Sequence, residues 1–150
     1  MNAPEQSLQR LATLQRLAAQ QEDQAARQLA EALSRHGNAA DRHTELVQYE
    51  IEYAARTPNA SGVLALSRHA GFLSKLRDAL KFQHDRVQQL GLEVDRARAR
   101  WVGLHREVEK LEQLGEVARR EMLAADSRRQ SRELDELAQR GWVRQQQVAG

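Results

Sequence analysis

The chain has 150 residues and a net charge of only +2, from 23 Lys and Arg against 21 Asp and Glu. Aromatic residues make up 4% of the sequence and two residues are proline, which is typical of long helices and coiled coils rather than of a rounded core. The chain has no cysteine, which excludes disulfides and thiolate metal sites. Its opposite charges are interspersed, which indicates a solvated helical surface and no nucleic-acid interface.

The apolar runs are short, far below the roughly 20 residues that span a membrane, so we expect no direct membrane insertion. The first residues do not combine a positively charged segment with an apolar stretch, so no secretory signal is visible. These features predict a cytoplasmic location.

Helix one is predicted from about residue 3 to residue 56. Asn2 can cap it, and Pro4 and Glu5 suit its first turn. An apolar column repeats every seven residues at Leu11, Ala18, Ala25, Ala32, Ala39, Leu46 and Tyr53. A second column is predicted three residues further on, at Leu14, Gln21, Gln28, Arg35, Arg42 and Tyr49. The pattern predicts a thin seam, rich in alanine and weak in its middle.

A turn is predicted at residues 57–62, where Pro58, Asn59 and Gly62 disfavour helix. Helix two is predicted from residue 63 to about residue 145. Its first column is Leu66, Leu73, Leu80, Val87, Val94, Trp101, Val108 and Met122, interrupted at Gly115. Its second column is Leu76, Leu90, Ala97, Leu104, Leu111, Ala118 and Ala125, interrupted at His69 and Gln83. Two such columns form the stripe of a coiled coil.

A short connection makes the two helices antiparallel neighbours, with facing residue numbers that sum to about 119. Helix one then ends opposite residue 115, and residues from about 116 to 145 have nothing opposite them. The predicted fold class is all-α: a long antiparallel two-helix coiled-coil hairpin with a C-terminal helical overhang, in one domain over residues 1–150.

No arrangement of residues predicts catalysis. The five histidines include no pair at i,i+3 or i,i+4, the spacing at which a helix presents two imidazoles to a metal. There is also no glycine-rich phosphate loop, and a two-helix hairpin offers no closed pocket. We therefore predict a protein that is not an enzyme, with no catalytic residues, metal or cofactor.

Two surfaces are candidates for protein binding. Near the turn, Phe72, Leu76, Ala79 and Gln83 form a stripe beside the seam, close to Leu46, Tyr49 and Tyr53. This stripe forms either a protein contact or a wider core. In the overhang, Leu134, Leu137, Ala138 and Trp142 follow a stretch without apolar residues. This segment is either a frayed tail or a helix completed by another protein.

Several segments together resemble one family over nearly the whole chain. They are Leu11-Ala12-Thr13-Leu14, Ala25-Ala26-Arg27, Tyr49 and Tyr53 before a polar turn, Phe72 with Leu76 and Ala79, Trp101, and Leu134-Asp135-Glu136-Leu137-Ala138-Gln139-Arg140. In order and spacing they resemble the flagellar export protein FliJ family. The resemblance implies a coiled-coil stalk, similar to the central stalk of rotary ATPases, in the flagellar type III export apparatus.

The resemblance also implies partners and sites. The partners would be the hexameric export ATPase, which the stalk stimulates, the membrane export gate protein, and export chaperones that it escorts. The gate would be bound by Leu46, Tyr49, Tyr53, Phe72, Leu76, Ala79 and Gln83. The ATPase ring would be bound by Leu11, Leu14, Met122, Leu134, Leu137, Ala138 and Arg140. The protein would be a monomer in isolation, located at the cytoplasmic side of the inner membrane.

Two alternatives remain open at this point. One is a structural coiled coil that self-associates and buries the overhang in a second copy. The other is the equivalent stalk protein of a virulence type III secretion system.

Overall fold

The computed structural model describes residues 3–56 and 62–149 and contains two helices. Helix α1 covers Ala3–Ala55 and helix α2 covers Val63–Ala149. The described residues include no strand, and the two helices pack against each other. The predicted all-α helical hairpin is therefore confirmed. The predicted turn at 57–62 lies, apart from Gly62, outside the described residues.

The ends of the helices follow local chemistry. Pro4 and Glu5 occupy the first turn of α1, where proline costs no hydrogen bond and a carboxylate offsets the helix dipole. At its other end the Arg56 amide donates to the Tyr53 carbonyl oxygen at 3.2 Å, which closes the last turn. The Leu66 amide donates to the Gly62 carbonyl oxygen at 3.2 Å and begins α2. Helix α2 ends at Ala149, beyond the predicted end near 145.

The chain divides into two compact units. We call Met1–Gln20 with Arg106–Gly150 the terminal unit, and Gln21–His105 the loop-proximal unit. In each unit a segment of α1 packs antiparallel to a segment of α2. The assignment of the whole chain to a single domain remains a prediction.

The alanine column of α1 is its buried seam. Ala18, Ala25, Ala32 and Ala39 are all buried, with Ala25 and Ala32 only 3% exposed. Because the alanine side chain is a single methyl group, the backbones of two helices can approach closely along such a column. On α2, Leu76, Leu90 and Val94 are buried, and most other members of the two predicted columns are half-buried. Leu66 and Ala125 are exposed.

The second column predicted on α1 is wrong. Leu14, Gln21, Arg35, Arg42 and Tyr49 are exposed, and only Gln28 is half-buried. The half-buried column lies on the other side of the alanines, at Leu8, Gln15, Glu22, Leu29, His36, His43 and Glu50.

This column is mostly polar, and its side chains find partners across the hairpin. The Gln15 amide donates to the Leu111 carbonyl oxygen at 2.9 Å. Glu22 Oε1 lies 2.9 Å from His105 Nδ1, and Glu50 Oε1 lies 3.2 Å from Arg77 Nε. The seam of an alanine column can be completed by the residues on either side of it. The positions of apolar residues do not distinguish the two sides, because the side observed here is stabilised by polar contacts.

The register also differs from the predicted one. Tyr53 stacks on His69, with ring centroids 4.7 Å apart, and the Gln83 amide donates to the Ala39 carbonyl oxygen at 3.1 Å. The residue numbers of these two pairs sum to 122, and those of Glu50 with Arg77 and of Glu22 with His105 sum to 127, all above the predicted 119. Register is set by the packing of side chains such as these, whereas the prediction used only the midpoint of the connecting segment.

The C-terminal part of α2 is uncovered by the described chain. Asp126 is its last half-buried residue, and every residue from 127 to 149 is exposed. The uncovered part begins later than the predicted residue 116, because Ala118 and Met122 are still half-buried. It is helical to Ala149, which at about 1.5 Å per residue makes a segment of roughly 35 Å. We call residues 127–149 the C-terminal segment.

Candidate functional site

In the terminal unit a cleft of about 1120 Å³ lies between the first turns of α1 and the facing part of α2. Its α1 wall includes Pro4, Leu8, Leu11 and Leu14, and its α2 wall includes Leu114, Val117, Ala118, Met122 and Ala125. Val117 and Ala118 lie three and four residues after Leu114, and Met122 and Ala125 lie four and seven residues after Ala118, so these residues form one continuous face of that helix. We call this feature the terminal cleft.

One end of the terminal cleft is marked by a close approach between the helices. Here the Gln15 side chain passes over Gly115 to reach the Leu111 carbonyl oxygen. A β-carbon at position 115 would overlap the Gln15 amide nitrogen. Gly115, which interrupts the heptad column in the sequence, therefore makes room for a hydrogen bond between the helices.

The rim of the terminal cleft is charged. Asp126 pairs with Arg129 at 2.5 Å, one turn apart on α2. Arg10, Glu121, Arg132, Glu133 and Glu136 also line it, and they form no ion pair with any part of the chain that the structure describes. Such a site, apolar within and charged at the edge, suits the face of an amphipathic helix.

In the loop-proximal unit the aromatic side chains form a cluster, which we call the aromatic cluster. The Phe72 ring lies 4.6 Å from that of Tyr53 and 6.4 Å from that of Tyr49, measured between centroids. Tyr49 and Tyr53 are stacked at 6.2 Å, and His69 stacks on Tyr53 at 4.7 Å. Tyr53 and His69 are half-buried, whereas Tyr49 and Phe72 are 43% and 41% exposed. The cluster thus presents two aromatic rings on a fixed base.

Comparison with family models gives one finding, a match of the Flagellar FliJ protein family to residues 6–147. The chain belongs to the FliJ family. The resemblance drawn from the sequence is confirmed, and the chain is a component of the flagellar export apparatus. FliJ proteins are structural components of export and are not known as enzymes. Comparisons with curated proteins and with solved structures found no significant match.

In this FliJ family member, the residues predicted to bind the ATPase ring divide into two groups. Leu11, Leu14 and Met122 line the terminal cleft. Leu134, Leu137, Ala138 and Arg140 lie on the exposed C-terminal segment beyond it. Sequence reasoning missed Leu8, Leu114 and Val117, although the three-residue steps from Leu8 to Leu11 and from Leu114 to Val117 were visible signals.

The residues predicted to bind the export gate differ in exposure. Tyr49, Phe72 and Ala79 are exposed, while Leu46 and Tyr53 are half-buried. Leu76 is only 7% exposed and belongs to the core. The Gln83 side chain is half-buried against the α1 backbone. His69, which in the sequence only interrupts an apolar column, is part of the aromatic cluster.

Other kinds of site are not seen in residues 3–56 and 62–149. These residues bring together no group of three or more His, Asp or Glu able to hold a metal ion. His43 and His84 face each other with ring centroids 5.7 Å apart, without a further ligand. None of the helical stretches described has the length and apolar character needed to cross a bilayer.

Proposed function

We propose that this protein is the stalk of a flagellar export ATPase. It binds and stimulates the hexameric ATPase through the terminal unit, and it contacts the membrane export gate through the loop-proximal unit. The observation that carries this proposal is the terminal cleft with its adjoining C-terminal segment, an apolar surface that the described chain leaves open in a member of an export family.

The ring-binding surface comprises the cleft residues Leu11, Leu14 and Met122 and the segment residues Leu134, Leu137, Ala138 and Arg140. Apolar side chains that are exposed on a helix lose their contact with water when a partner covers them. This favours binding by about 25 cal/mol per Å² of apolar surface buried. Leu134, Leu137 and Trp142 are each at least 60% exposed. Subunits arranged as a ring can surround such a helix.

The gate-binding surface comprises Tyr49, Phe72 and Ala79, the exposed members of the predicted set. Aromatic rings that are rigid before binding make good anchors, because little side-chain entropy remains to be lost. Tyr53 contacts both exposed rings, and His69 stacks on Tyr53. Leu46, Leu76 and Gln83 support this surface by packing or hydrogen bonding within the hairpin. They make a smaller part of the contact with the gate.

Both helices run through the two units without a break in the described residues. A change imposed on the terminal unit by the ATPase would therefore reach the loop-proximal unit through continuous helices, and ATP-driven changes in the ring would bias the state of the gate. Escort of export chaperones, and a cytoplasmic position at the inner-membrane export apparatus, belong to the same proposal.

Co-purification with the export ATPase of the same bacterium tests the proposal. The purified chain is added to the ATPase, complex formation is measured by gel filtration, and ATP hydrolysis is measured with and without the chain. We expect a complex and a higher rate of hydrolysis. A chain that neither binds nor stimulates the ATPase would contradict the proposal. Binding only to the ATPase of a virulence secretion system would support that alternative instead.

A further inference from the structure

Two histidines face each other across the helices of the loop-proximal unit. His43 on α1 is half-buried and His84 on α2 is exposed, and their ring centroids lie 5.7 Å apart. Neither ring forms a hydrogen bond or an ion pair with any residue that the structure describes. A neutral imidazole has one nitrogen that accepts and one that donates. Each ring therefore keeps a nitrogen lone pair available to a ligand.

The two histidines belong to a ladder of pairs between α1 and α2, spaced by multiples of seven residues. Two other pairs of the ladder join an acidic to a basic side chain, Glu22 with His105 and Glu50 with Arg77. The residue numbers of these pairs sum to 127, as do those of His43 and His84. The histidine pair instead opposes two bases. A cation shared by the two rings would join the helices there, as opposite charges do in the other pairs.

We propose that His43 and His84 together bind one divalent transition-metal ion, such as Zn²⁺, which links α1 to α2. Neutral imidazole is a common ligand of zinc, copper and nickel. Zinc–nitrogen bonds of about 2.0–2.1 Å place the centroids of two imidazoles on a tetrahedral ion about 5 Å apart. The observed 5.7 Å is slightly longer, and small rotations about the terminal side-chain torsions, which have broad wells, bring the rings together.

The helix backbones are already held together at this level. The amide of Gln83, the residue before His84, donates to the Ala39 carbonyl oxygen at 3.1 Å. Ala39 lies one turn before His43 on α1 and is only 5% exposed. An ion that binds one of the two imidazoles therefore finds the other close by, at a high effective concentration.

The site has two ligands from the protein. His36 precedes His43 by seven residues, which is about 10 Å along α1 and too far to share the ion. Water completes the coordination, so binding is weaker than at the three or four protein ligands of most zinc sites and responds to the zinc concentration. The sequence predicted no metal because it lacks close histidine pairs within one helix, whereas this pair is created by the register of two helices.

This site goes beyond the proposed function and does not depend on it. The ion would stabilise the loop-proximal unit whether or not the chain binds an ATPase. The tests use the isolated chain, so their outcome is separate from that of the ATPase experiment.

The first measurement is calorimetric titration of the full chain with Zn²⁺ at mildly alkaline pH, where imidazole is neutral. The chain is prepared without a polyhistidine tag, and it has no cysteine to compete for the ion. We expect one ion per chain. His43→Asn and His84→Asn should each weaken binding by at least about tenfold, because one imidazole alone cannot chelate. His36→Asn, on the same column of α1, is the matched control and should bind zinc like the native chain.

The second measurement is urea denaturation with Zn²⁺ or with a chelator. Zinc should raise the urea midpoint of the native chain, because the two ligands meet only when the helices are paired. His84→Asn should remove this increase, and it should keep the native helical circular dichroism because His84 is exposed.

Four results would overturn the proposal. One is the absence of zinc binding at millimolar concentration. Another is binding that neither His43→Asn nor His84→Asn weakens. A third is an equal loss of binding in His36→Asn. The fourth is one ion per two chains, which would mean that zinc bridges separate molecules.

Discussion

The two units are built from the same two helices and the same heptad repeat, yet they leave clefts of different size, about 1120 Å³ in the terminal unit and about 630 Å³ in the loop-proximal unit. In the loop-proximal unit, rings and polar side chains bridge the helices, as in Tyr53 on His69 and Glu50 with Arg77. In the terminal unit, a cleft separates the first turns of α1 from α2. The comparison teaches that a heptad stripe is covered only where its partner supplies side chains of the right size and length.

The largest effect is expected from removing the C-terminal segment. A chain ending after Asp126 retains the half-buried part of α2 and should therefore keep its remaining helical signal while losing stimulation of the ATPase. Hydrolysis rates with the native and shortened chains provide the measurement. Full stimulation by the shortened chain would move the ring-binding surface elsewhere.

Leu76 and Leu66 test the core of the loop-proximal unit. Leu76→Ala should lower the free energy of unfolding by about 2–4 kcal/mol, because it removes buried methyl groups and leaves a cavity. Leu66→Ala, at a side chain that is 58% exposed, should cost less than about 1 kcal/mol. Urea denaturation followed by circular dichroism measures both. Equal effects would contradict the different burial of the two leucines.

Phe72 and Phe82 test the aromatic cluster as a gate contact. Phe72→Asp should weaken binding to the gate protein by about tenfold or more, since it replaces an exposed anchor with a charge. Phe82, which is 70% exposed and in none of the ring contacts of the cluster, provides the matched control. A pull-down with the cytoplasmic part of the gate protein compares them. If both variants bind like the native chain, the gate contact lies outside the cluster.

The smallest effect is expected at Gly115. Gly103→Ala, where a β-carbon meets open space, should stabilise the helix by about 0.5–1 kcal/mol. Gly115→Ala should stabilise the protein by about 1 kcal/mol less than Gly103→Ala does. The reason is that the Gln15 amide must give up its hydrogen bond to the Leu111 carbonyl oxygen.

Denaturation curves of the two glycine variants provide this comparison, and Gln15→Ala provides its control. In that background the two glycine substitutions should have similar effects. If the two glycine variants still differ in stability when Gln15 is replaced by alanine, the side chain of Gln15 is not the cause of their difference.

The amino-acid sequence by itself determined the two helices, their antiparallel pairing, the alanine column and the family. Each of these depends on local propensity or on a sequence repeat, such as Ala18, Ala25, Ala32 and Ala39 at seven-residue spacing. Such a repeat lies on one side of a helix whatever helix packs against it. The order of the family's segments can likewise be read without knowing what faces them.

Only the tertiary structure decided which side of the alanines completes the seam, the register, and the position of the terminal cleft. Gln15, Glu22 and Glu50 read as surface residues until their partners on α2 are known, since a polar side chain is buried only where another group satisfies it. Register depends on pairs such as Ala39 with Gln83, which have no local signal. The cleft exists because the first turns of α1 do not cover α2 completely, a property of two helices together that neither helix has alone.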